Sequence, residues 1–392
     1  MALLTNKVIA KEMLAVLAQK STLLRRINTQ YSDEFAKTGA KIGNSVDIRV
    51  PMHGKTRKGR IMDTNVPNDK VVTLKIDDQQ GVDLAFSSAD RALSIDKFRE
   101  RYLEQPAADL TASIEQTIIQ KALASVYNQV GDPTTALDLK KALLANKTLT
   151  DNLAPAGKRT LLTNTSGTVQ VVDGTKTLFN SQNQIKNQYE DGVMGTAAGF
   201  DWIESTLMPV QLNGAGTGYT VVGAGQQGSS LAVTGTGALT AGTVFNIANV
   251  YAVHPQTKQS LGVLQDFVVA SDYAGGAGNL SISPALVSSG TEQNVTASPA
   301  ASAGITIEGA AGTSYGVNLG FQKDFMTAAF VDLPLPEGKQ AERYEYNGIS
   351  LRLVQDYDIV NDLFLVRTDV LFGSQVIRPE LAVRVANNIT LL

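Results

Sequence analysis

The chain has 392 residues but contains no cysteine and only two histidines, His53 and His254. The absence of cysteine excludes a disulfide framework, thiolate zinc sites and cysteine nucleophiles. No Ser–His–Asp arrangement and no histidine–carboxylate spacing surrounds either histidine, so we interpret both as solvated loop residues. The sequence therefore predicts no metal site, no cofactor and no enzymatic activity.

A long uninterrupted hydrophobic run is also lacking. Lys7, Lys11 and Glu12 interrupt the apolar N-terminal stretch MALLTNKVIAKEMLAVLAQK, which is typical of neither a signal peptide nor a membrane span. We predict instead an amphipathic helix over residues 6–27, because apolar residues recur there at helical spacing. The protein is expected to fold in a reducing cytoplasm and to have no membrane partner.

Net charge is low, at −3, so no whole-molecule field attracts nucleic acid or a membrane surface. Charge is nevertheless uneven along the chain. Residues 1–60 contain 12 Lys or Arg against 4 Asp or Glu, whereas residues 211–320 contain 19 of the 34 glycines and only five charged residues. Short β-branched runs in the second segment predict an all-β insert, either a small barrel or a sandwich. A disordered Gly/Ser tract near residues 274–304 is the alternative.

The longest helix that the sequence predicts runs from Asp96 to Val130. Its apolar residues recur every three or four positions and form one stripe, which we interpret as the face of a core-packing helix. Gly131 and Pro133 are expected to end the helix, and Pro106 either kinks it or opens its main segment. From Pro106 to Val130 such a helix would span roughly 37 Å, enough to cross a domain.

Two alternating stretches, residues 44–52 and 72–76, predict the arms of a long antiparallel hairpin. The segment between them is polar and basic, and its charges cluster in Lys55, Arg57, Lys58 and Arg60. No aromatic residue is interleaved for stacking on bases, which disfavours a nucleic-acid site. We favour contact of these four residues with an acidic patch of a neighbouring subunit. A solvated loop and phosphate contacts to DNA are the alternatives.

Further elements follow the long helix. Thr135 and Asp138 have the spacing of a capping box and predict a helix through Leu144. Alternating or β-branched runs predict strands at 159–164 and 168–172, and two or three strands within 349–386. These last strands are expected to rejoin the sheet packed on the long helix, so that the first and last thirds of the chain share one core.

The GAGQQG segment contains Gly223, Gly225 and Gly228 at dinucleotide-binding spacing. A phosphate cradle requires a helix N-terminus directly afterwards, and the following SSLAVTGTG is not a helix-forming sequence. We therefore reject a nucleotide site.

Asp356 and Asp358 in QDYDIV would point to one face of a strand, as a metal pair or an acid–base pair requires. Arg352 and Arg367 lie nearby in the sequence. We therefore interpret the two carboxylates as partners in surface ion pairs.

A family resemblance is carried by several separated segments. Residues 178–210, with Leu178, Phe179, Tyr189, Gly192 and the turn Ala198–Gly199–Phe200–Asp201, resemble the coat proteins of the P22-type short-tailed Salmonella phages. Residues 239–269 are similar to the inserted β-barrel domain of those proteins, and TDVLFGSQVIRPELAVRV is similar to their closing strands.

The resemblance implies an α+β fold of the HK97 capsid type with an inserted all-β domain. The expected domains are an N-terminal arm at 1–37, an extended loop at 38–85, a peripheral domain with a spine helix at 86–140 plus 340–392, an axial domain at 141–210 plus 317–339, and the insert at 211–316.

The resemblance also implies the function, a major capsid protein that self-assembles into the icosahedral shell enclosing the double-stranded DNA of a tailed phage. Expected partners are further copies in hexamers and pentamers, a scaffolding protein, a portal protein, and packaged DNA bound without sequence specificity. Assembly would take place in the host bacterial cytoplasm. Alternatives are an encapsulin-like compartment shell with an enzyme cargo, a carbohydrate-binding adhesive protein, and, more remotely, an enzyme acting on polymers. Adhesion would need exposed aromatics on the insert, and the only tryptophan, Trp202, lies outside it.

Overall fold

The computed structural model describes residues 6–29, 45–51, 54, 59–62, 70–87, 104–157, 159–175, 195–346 and 348–389. The chain forms two compact units. The first comprises segments 1–48, 72–119 and 326–375, and the second comprises segments 49–71, 120–325 and 376–392. Each unit therefore draws on sequence segments that are far apart along the chain.

The helices of the described residues are α1 (Asn6–Lys20), α2 (Glu104–Ser125), α3 (Leu139–Asp151) and α4 (Thr165–Thr175). Two short 3-10 segments follow, at Lys323–Phe325 and Pro379–Leu381. The strands are β1 (Ser45–Val50), β2 (Lys70–Lys75), β3 (Asp78–Ser87), β4 (Gln129–Val130), β5 (Arg159–Thr163), β6 (Thr196–Ala197), β7 (Phe200–Glu204), β8 (Val210–Leu212), β9 (Thr217–Val221), β10 (Gly228–Thr236), β11 (Val244–Val253), β12 (Ser260–Val269), β13 (Gly276–Leu286), β14 (Ile305–Ile307), β15 (Ser314–Gln322), β16 (Met326–Val331), β17 (Gln340–Tyr346), β18 (Ile349–Asp358), β19 (Leu363–Val376) and β20 (Ala382–Asn387).

The first unit is built on a five-stranded sheet in the order β16–β19–β18–β17, with β3 paired to β19 over ten residues. Helix α1 packs on β17 and β18, and it buries Met13 and Leu17 completely. Ile114 and Ile118 of α2 are also fully buried, as the predicted apolar stripe requires. Burying such side chains stabilises the fold by roughly 1.5–3 kcal/mol each.

The second unit contains a seven-stranded sheet in the order β4–β20–β15–β5–β7–β6, with β8 also paired to β15. Strands from before and after the insert thus lie side by side in this sheet. Buried amides join the strands: the Asn318 side-chain oxygen accepts the Asn164 N–H at 2.8 Å, and its amide donates to the Asn387 side chain at 3.0 Å.

The insert forms a six-stranded barrel in the order β14–β11–β12–β13–β10–β9. A bridge between Thr220 and Gly304 closes the ring, supported by a hydrogen bond from Val221 N to Ala303 O. Phe245 and Phe267 are fully buried in its core, with ring centroids 5.8 Å apart. The insert is therefore a barrel rather than a sandwich. The alternative of a disordered tract at 274–304 is wrong, because β13 lies within that range.

The prediction for the long helix is partly wrong. Helix α2 ends at Ser125, before Gly131, and the residues predicted to complete it form β4, which pairs in parallel with β20. Asn128 holds the chain in this extended path. Its side-chain amide donates to Ala382 O, and its backbone carbonyl accepts the Arg384 N–H at 2.8 Å. The predicted start at Asp96 lies outside the described residues, and Pro106 lies in the first turn of α2, where a missing N–H costs little.

The predicted strand at 168–172 is also wrong, because these residues belong to α4. The Asn164 side chain accepts the Gly167 N–H at 2.6 Å and so satisfies a free donor at the helix start. This cap outweighs the β propensity of the valines. The predicted strand at 159–164 is confirmed as β5.

The prediction that Thr135 caps the next helix, α3, is also wrong. Asp138, rather than Thr135, is the N-cap, and its carboxylate accepts the Lys141 N–H at 2.7 Å. The helix continues beyond Leu144 to Asp151.

Candidate assembly surfaces

The sequence predicts an intersubunit contact in the basic segment at 55–60. Lys55, Arg57 and Lys58 lie outside the described residues, so their contact role stays a prediction. Arg60 is described and exposed. It directly precedes Ile61 and Met62, whose side chains are 87% and 78% exposed. Sequence reasoning recognised the charges but missed this apolar pair, although an Ile–Met pair in an otherwise polar segment is a signal that could have been used.

Strands β1 and β2, which flank this segment, form a two-stranded sheet, as predicted. The Thr73 hydroxyl donates to the Asp47 carboxylate across the pair at 2.7 Å. A two-stranded sheet is marginally stable in water by itself.

A second exposed apolar pair lies in the turn between β18 and β19, where Ile359 is 82% exposed and Val360 is 86% exposed. The Asp358 carboxylate fixes this turn. It accepts the Val360 N–H at 2.9 Å and the Asn361 side-chain amide at 2.7 Å. The Tyr357 hydroxyl donates to the Asp362 carboxylate at 2.8 Å and adds a further restraint. The turn thus displays two β-branched side chains on a hydrogen-bonded frame.

The predicted partners of Asp356 and Asp358 are wrong. Asp356 forms an ion pair with Lys339, and Asp358 is occupied by the turn. Arg352 and Arg367 both bind Asp369 instead, at 2.6 Å and 2.9 Å. Sequence reasoning missed Asp369 because the pairing depends on strand register, which places Asp369 directly opposite Arg352.

The Asp369 carboxylate is buried, with 3% of its side chain exposed. Burial acts to raise the pKa of Asp369, but hydrogen bonds from Arg352 and Arg367 outweigh it and hold that pKa below its usual range. The three side chains therefore form a charged pair network within one sheet and do not resemble an acid–base pair.

Glu115 of α2 holds the segment that follows α1. One carboxylate oxygen accepts the N–H groups of Thr22, Leu23 and Leu24 at 2.7, 2.8 and 3.2 Å, and the other accepts the Thr22 hydroxyl at 3.0 Å. Burial raises the pKa of Glu115, although these hydrogen bonds oppose the shift. The N-terminal helix is thereby tied to the long helix of its own subunit.

Two charged residues, the buried Arg384 and the half-buried Asp266, attach the barrel to the seven-stranded sheet. The fully buried Arg384 of β20 donates to Gly242 O at 2.5 Å and to the Gln211 side chain at 3.3 Å. Asp266 of β12 accepts the Gln129 N–H at 3.1 Å. Burial, opposed by this hydrogen bond, raises the pKa of Asp266 to about 7. Asp266 lies in a cleft of about 780 Å³.

Other chemistry receives little support from the described residues. Gly223, Gly225 and Gly228 lie at or near the turn between β9 and β10, so a strand follows instead of the helix that a phosphate cradle needs. Among all the residues that the structure describes, no three His, Asp or Glu side chains come together as a possible metal site. None of the described helices is long and apolar enough to cross a membrane.

The barrel offers little to a carbohydrate. Across residues 211–316, all of which are described, Tyr251 is exposed and Tyr273 is half-buried, while Tyr219, Phe245, Phe267 and Tyr315 are buried. The insert therefore presents two tyrosines to solvent and buries its other aromatic residues.

A family model described as "P22 coat protein - gene protein 5" matches residues 3–385. The chain belongs to the P22 coat protein family. The coat protein accordingly has the α+β capsid fold of the HK97 type with an inserted all-β domain, and it is a major capsid protein that forms the phage shell. This family is one of structural proteins.

Several solved structures are similar to the coat protein. A structure from Mycobacterium phage Che8 has 12% sequence identity and a TM-score of 0.48, with 93% of this chain and 90% of that chain covered. The capsid of cyanophage P-SCSP1u has 12% identity and a TM-score of 0.45, with 89% and 84% covered. A virus-like particle from Pyrococcus furiosus has 8% identity and a TM-score of 0.43, with 97% and 98% covered. No curated protein sequence matches the coat protein.

Proposed function

We propose that the coat protein assembles as hexamers and pentamers into an icosahedral shell around double-stranded DNA. Membership of the P22 coat protein family supports this proposal most strongly. Two apolar pairs, Ile61–Met62 and Ile359–Val360, are exposed on the single chain, as expected of surfaces that a neighbouring copy covers. Several modest contacts per subunit reinforce one another through high effective concentration, so the complete shell is durable.

The proposal extends to the partners of assembly. A scaffolding protein joins the coat protein in a procapsid, a portal protein occupies one vertex, and the shell expands as DNA enters without sequence-specific contacts. The five-domain division at 1–37, 38–85, 86–140 plus 340–392, 141–210 plus 317–339, and 211–316 belongs to the same proposal, as does assembly in the host bacterial cytoplasm.

Electron microscopy of purified particles tests this function. The coat protein would be expressed alone and together with the neighbouring open reading frames. We expect closed icosahedral shells in the second case, with a second, internal protein before DNA packaging. A coat protein that remains a monomer at high concentration under both conditions contradicts the proposal. Shells filled with an enzyme, and lacking scaffold and DNA, would favour the compartment alternative.

The barrel is assigned to subunit folding and to bracing of neighbouring subunits on the outer surface. Its hydrogen-bonded links to the seven-stranded sheet through Arg384 and Asp266 support a role in folding. A chain in which a short linker replaces residues 212–316 tests this assignment. We expect low soluble yield and aberrant particles, whereas normal yield of normal shells would refute it.

A further inference from the structure

We propose that the cleft beside Asp266 binds a small organic cation, an ammonium group attached to an apolar body. The cleft has a volume of about 780 Å³, and the residues that line it all belong to the second unit. Ligand sites in proteins have volumes of about 300–1,000 Å³ and combine apolar walls with a few placed polar groups. This inference goes beyond shell formation and does not depend on it.

The cleft has apolar walls that are partly open to solvent. Leu144 of α3 and Leu153, two residues beyond that helix, line it on the side of the sheet. Tyr251 of β11 and Val263 of β12 line it on the side of the barrel. These four residues are between 36% and 52% exposed. A ligand that covers them removes apolar surface from water, which favours an apolar body.

The Asp266 carboxylate has one oxygen to offer to a ligand. Its Oδ2 accepts the Gln129 N–H at 3.1 Å, whereas its Oδ1 forms no hydrogen bond with any described residue. Asp266 is half-buried and lines the cleft. The neighbours that shift its pKa are the Gln129 N–H and Glu308, which is itself a carboxylate. When Asp266 is ionised, its charge therefore has no counter-ion among the described residues.

The other charged groups of the cleft already have partners or stay neutral. The remaining lining carboxylates each have a cation nearby, in the pairs Asp151–Lys147, Glu380–Arg378 and Glu292–Lys258. Lys70 also lines the cleft and is exposed. The Tyr127 hydroxyl stays neutral, because burial and the carboxylates of Glu380 and Asp266 raise its pKa. A cationic ligand is therefore complementary to Asp266.

A single available carboxylate oxygen favours an ammonium group over a metal ion. Calcium and magnesium require about six or more oxygen ligands, and no three His, Asp or Glu side chains converge among the described residues. An ammonium group needs only a charge-assisted hydrogen bond, which is roughly twice as strong as a neutral one. The apolar walls then contact the carbon atoms that carry the ammonium group.

Binding of a cation is linked to the proton of Asp266. Burial and Glu308 raise the pKa of Asp266 to about 7, although the Gln129 N–H opposes the shift. A cation binds the ionised form, so at lower pH it must displace a proton. We therefore expect roughly tenfold higher affinity at pH 8 than at pH 6, with about 0.9 proton released per cation bound at pH 6. A carboxylate of ordinary pKa gives no such dependence in this range.

Isothermal titration calorimetry of the soluble full-length subunit tests the site with 2-phenylethylammonium as the probe. The control ligand is 2-phenylethanol, which has the same apolar body and no charge. We expect the cation to bind with a stoichiometry of one, more tightly at pH 8 than at pH 6, and to release protons at pH 6. The alcohol should bind more weakly and without pH dependence. Absence of saturable binding at millimolar concentration, equal affinity of the two ligands, or equal affinity of the cation at both pH values overturns the inference.

A charge-removing variant places the site at Asp266. Asp266→Asn keeps an oxygen that can accept the Gln129 N–H, and we expect it to lower the affinity for the cation by about tenfold at pH 8 and to abolish the pH dependence. The matched control is Asp109→Asn, which removes an exposed carboxylate of α2 that does not line the cleft. An unchanged affinity in Asp266→Asn, or an equal loss in both variants, contradicts the inference.

A second pair of variants keeps the test decisive if Asp266→Asn subunits do not fold. Val263 is exposed on the cleft wall, so Val263→Lys adds a charge that repels the cation, whereas Val263→Thr keeps the shape of the side chain. We expect the lysine variant alone to lose affinity by about threefold or more. Equal affinities in the two variants overturn the inference. Because these measurements use unassembled subunits, their failure leaves the proposed function intact, whereas native subunits that form no shell contradict that function itself.

Discussion

Replacing Glu115 by alanine should release the segment after α1 from the long helix. The change removes the acceptor of three backbone N–H groups. Leu23 and Leu24 are buried, so water cannot easily take over their N–H groups. An unsatisfied buried donor costs about 1–3 kcal/mol, and the two buried donors together give roughly 2–6 kcal/mol. Burial destabilises the charged form of Glu115, so removing the carboxylate offsets part of this cost. We expect the free energy of unfolding to fall by about 3 kcal/mol in total.

The matched variant is Glu115→Gln. Its side-chain oxygen still accepts from Thr22, Leu23 and Leu24, and its volume is almost unchanged. We expect a loss of about 1 kcal/mol, since only the charge assistance of the hydrogen bonds disappears. Comparing the two variants therefore isolates the acceptor from the charge.

Hydrogen exchange of the amides at 22–24 is the direct assay, together with urea unfolding of the soluble subunit. A loss of about 3 kcal/mol corresponds to roughly 100-fold faster exchange where local opening governs the rate. If the alanine variant exchanges at the native rate at these amides, or if both variants lose the same stability, the carboxylate does not hold the segment and the reasoning is refuted.

Three further predictions concern the sheet and barrel, and urea unfolding measures each. Because the Asp266 pKa is raised from 3.8 to about 7, its ionisation opposes folding. The free energy of unfolding of the native chain should therefore fall as pH rises from about 4 to 7. Asp266→Asn should flatten this slope and raise the free energy of unfolding by about 2 kcal/mol at pH 8. A native profile that is flat between about pH 4 and 7 would contradict the prediction. Gly373→Ala would drive a Cβ into Lys75 O and should cost about 2 kcal/mol, while Gly174→Ala, with open space around it, should cost nothing. Asn318→Leu leaves its buried hydrogen-bond partners unsatisfied and should cost about 3 kcal/mol; a loss below about 1 kcal/mol would mean that the amide network rearranges.

The spacing of apolar residues in the sequence predicts those helices and strands that are determined by the hydrophobic pattern alone. The buried stripe of α2, the paired β1 and β2, and the β-rich insert all follow from spacing and composition. The family resemblance then supplied the arrangement of these parts, which spacing cannot give.

The errors arose where a distant partner overrides local preference. Residues 168–172 favour a strand by composition, but the Asn164 cap starts a helix there. Residues near 129 continue a helical stripe, but pairing with β20 draws them into a strand. Arg352 meets Asp369 because of strand register, which the sequence does not reveal. The exposed turn of Ile359 and Val360 was missed because an exposed apolar residue and a buried one look alike in a sequence.

Closure of the barrel has a consequence for a protein that works in many copies. An open sheet ends in a strand with unpaired N–H and C=O groups, and such edges join one another when chains are crowded. A glycine-rich insert with few charges has little repulsion to prevent this. The link between Thr220 and Gly304 occupies the edge groups within each subunit, so densely packed copies can sit next to each other on a shell without their inserts fusing into a continuous sheet.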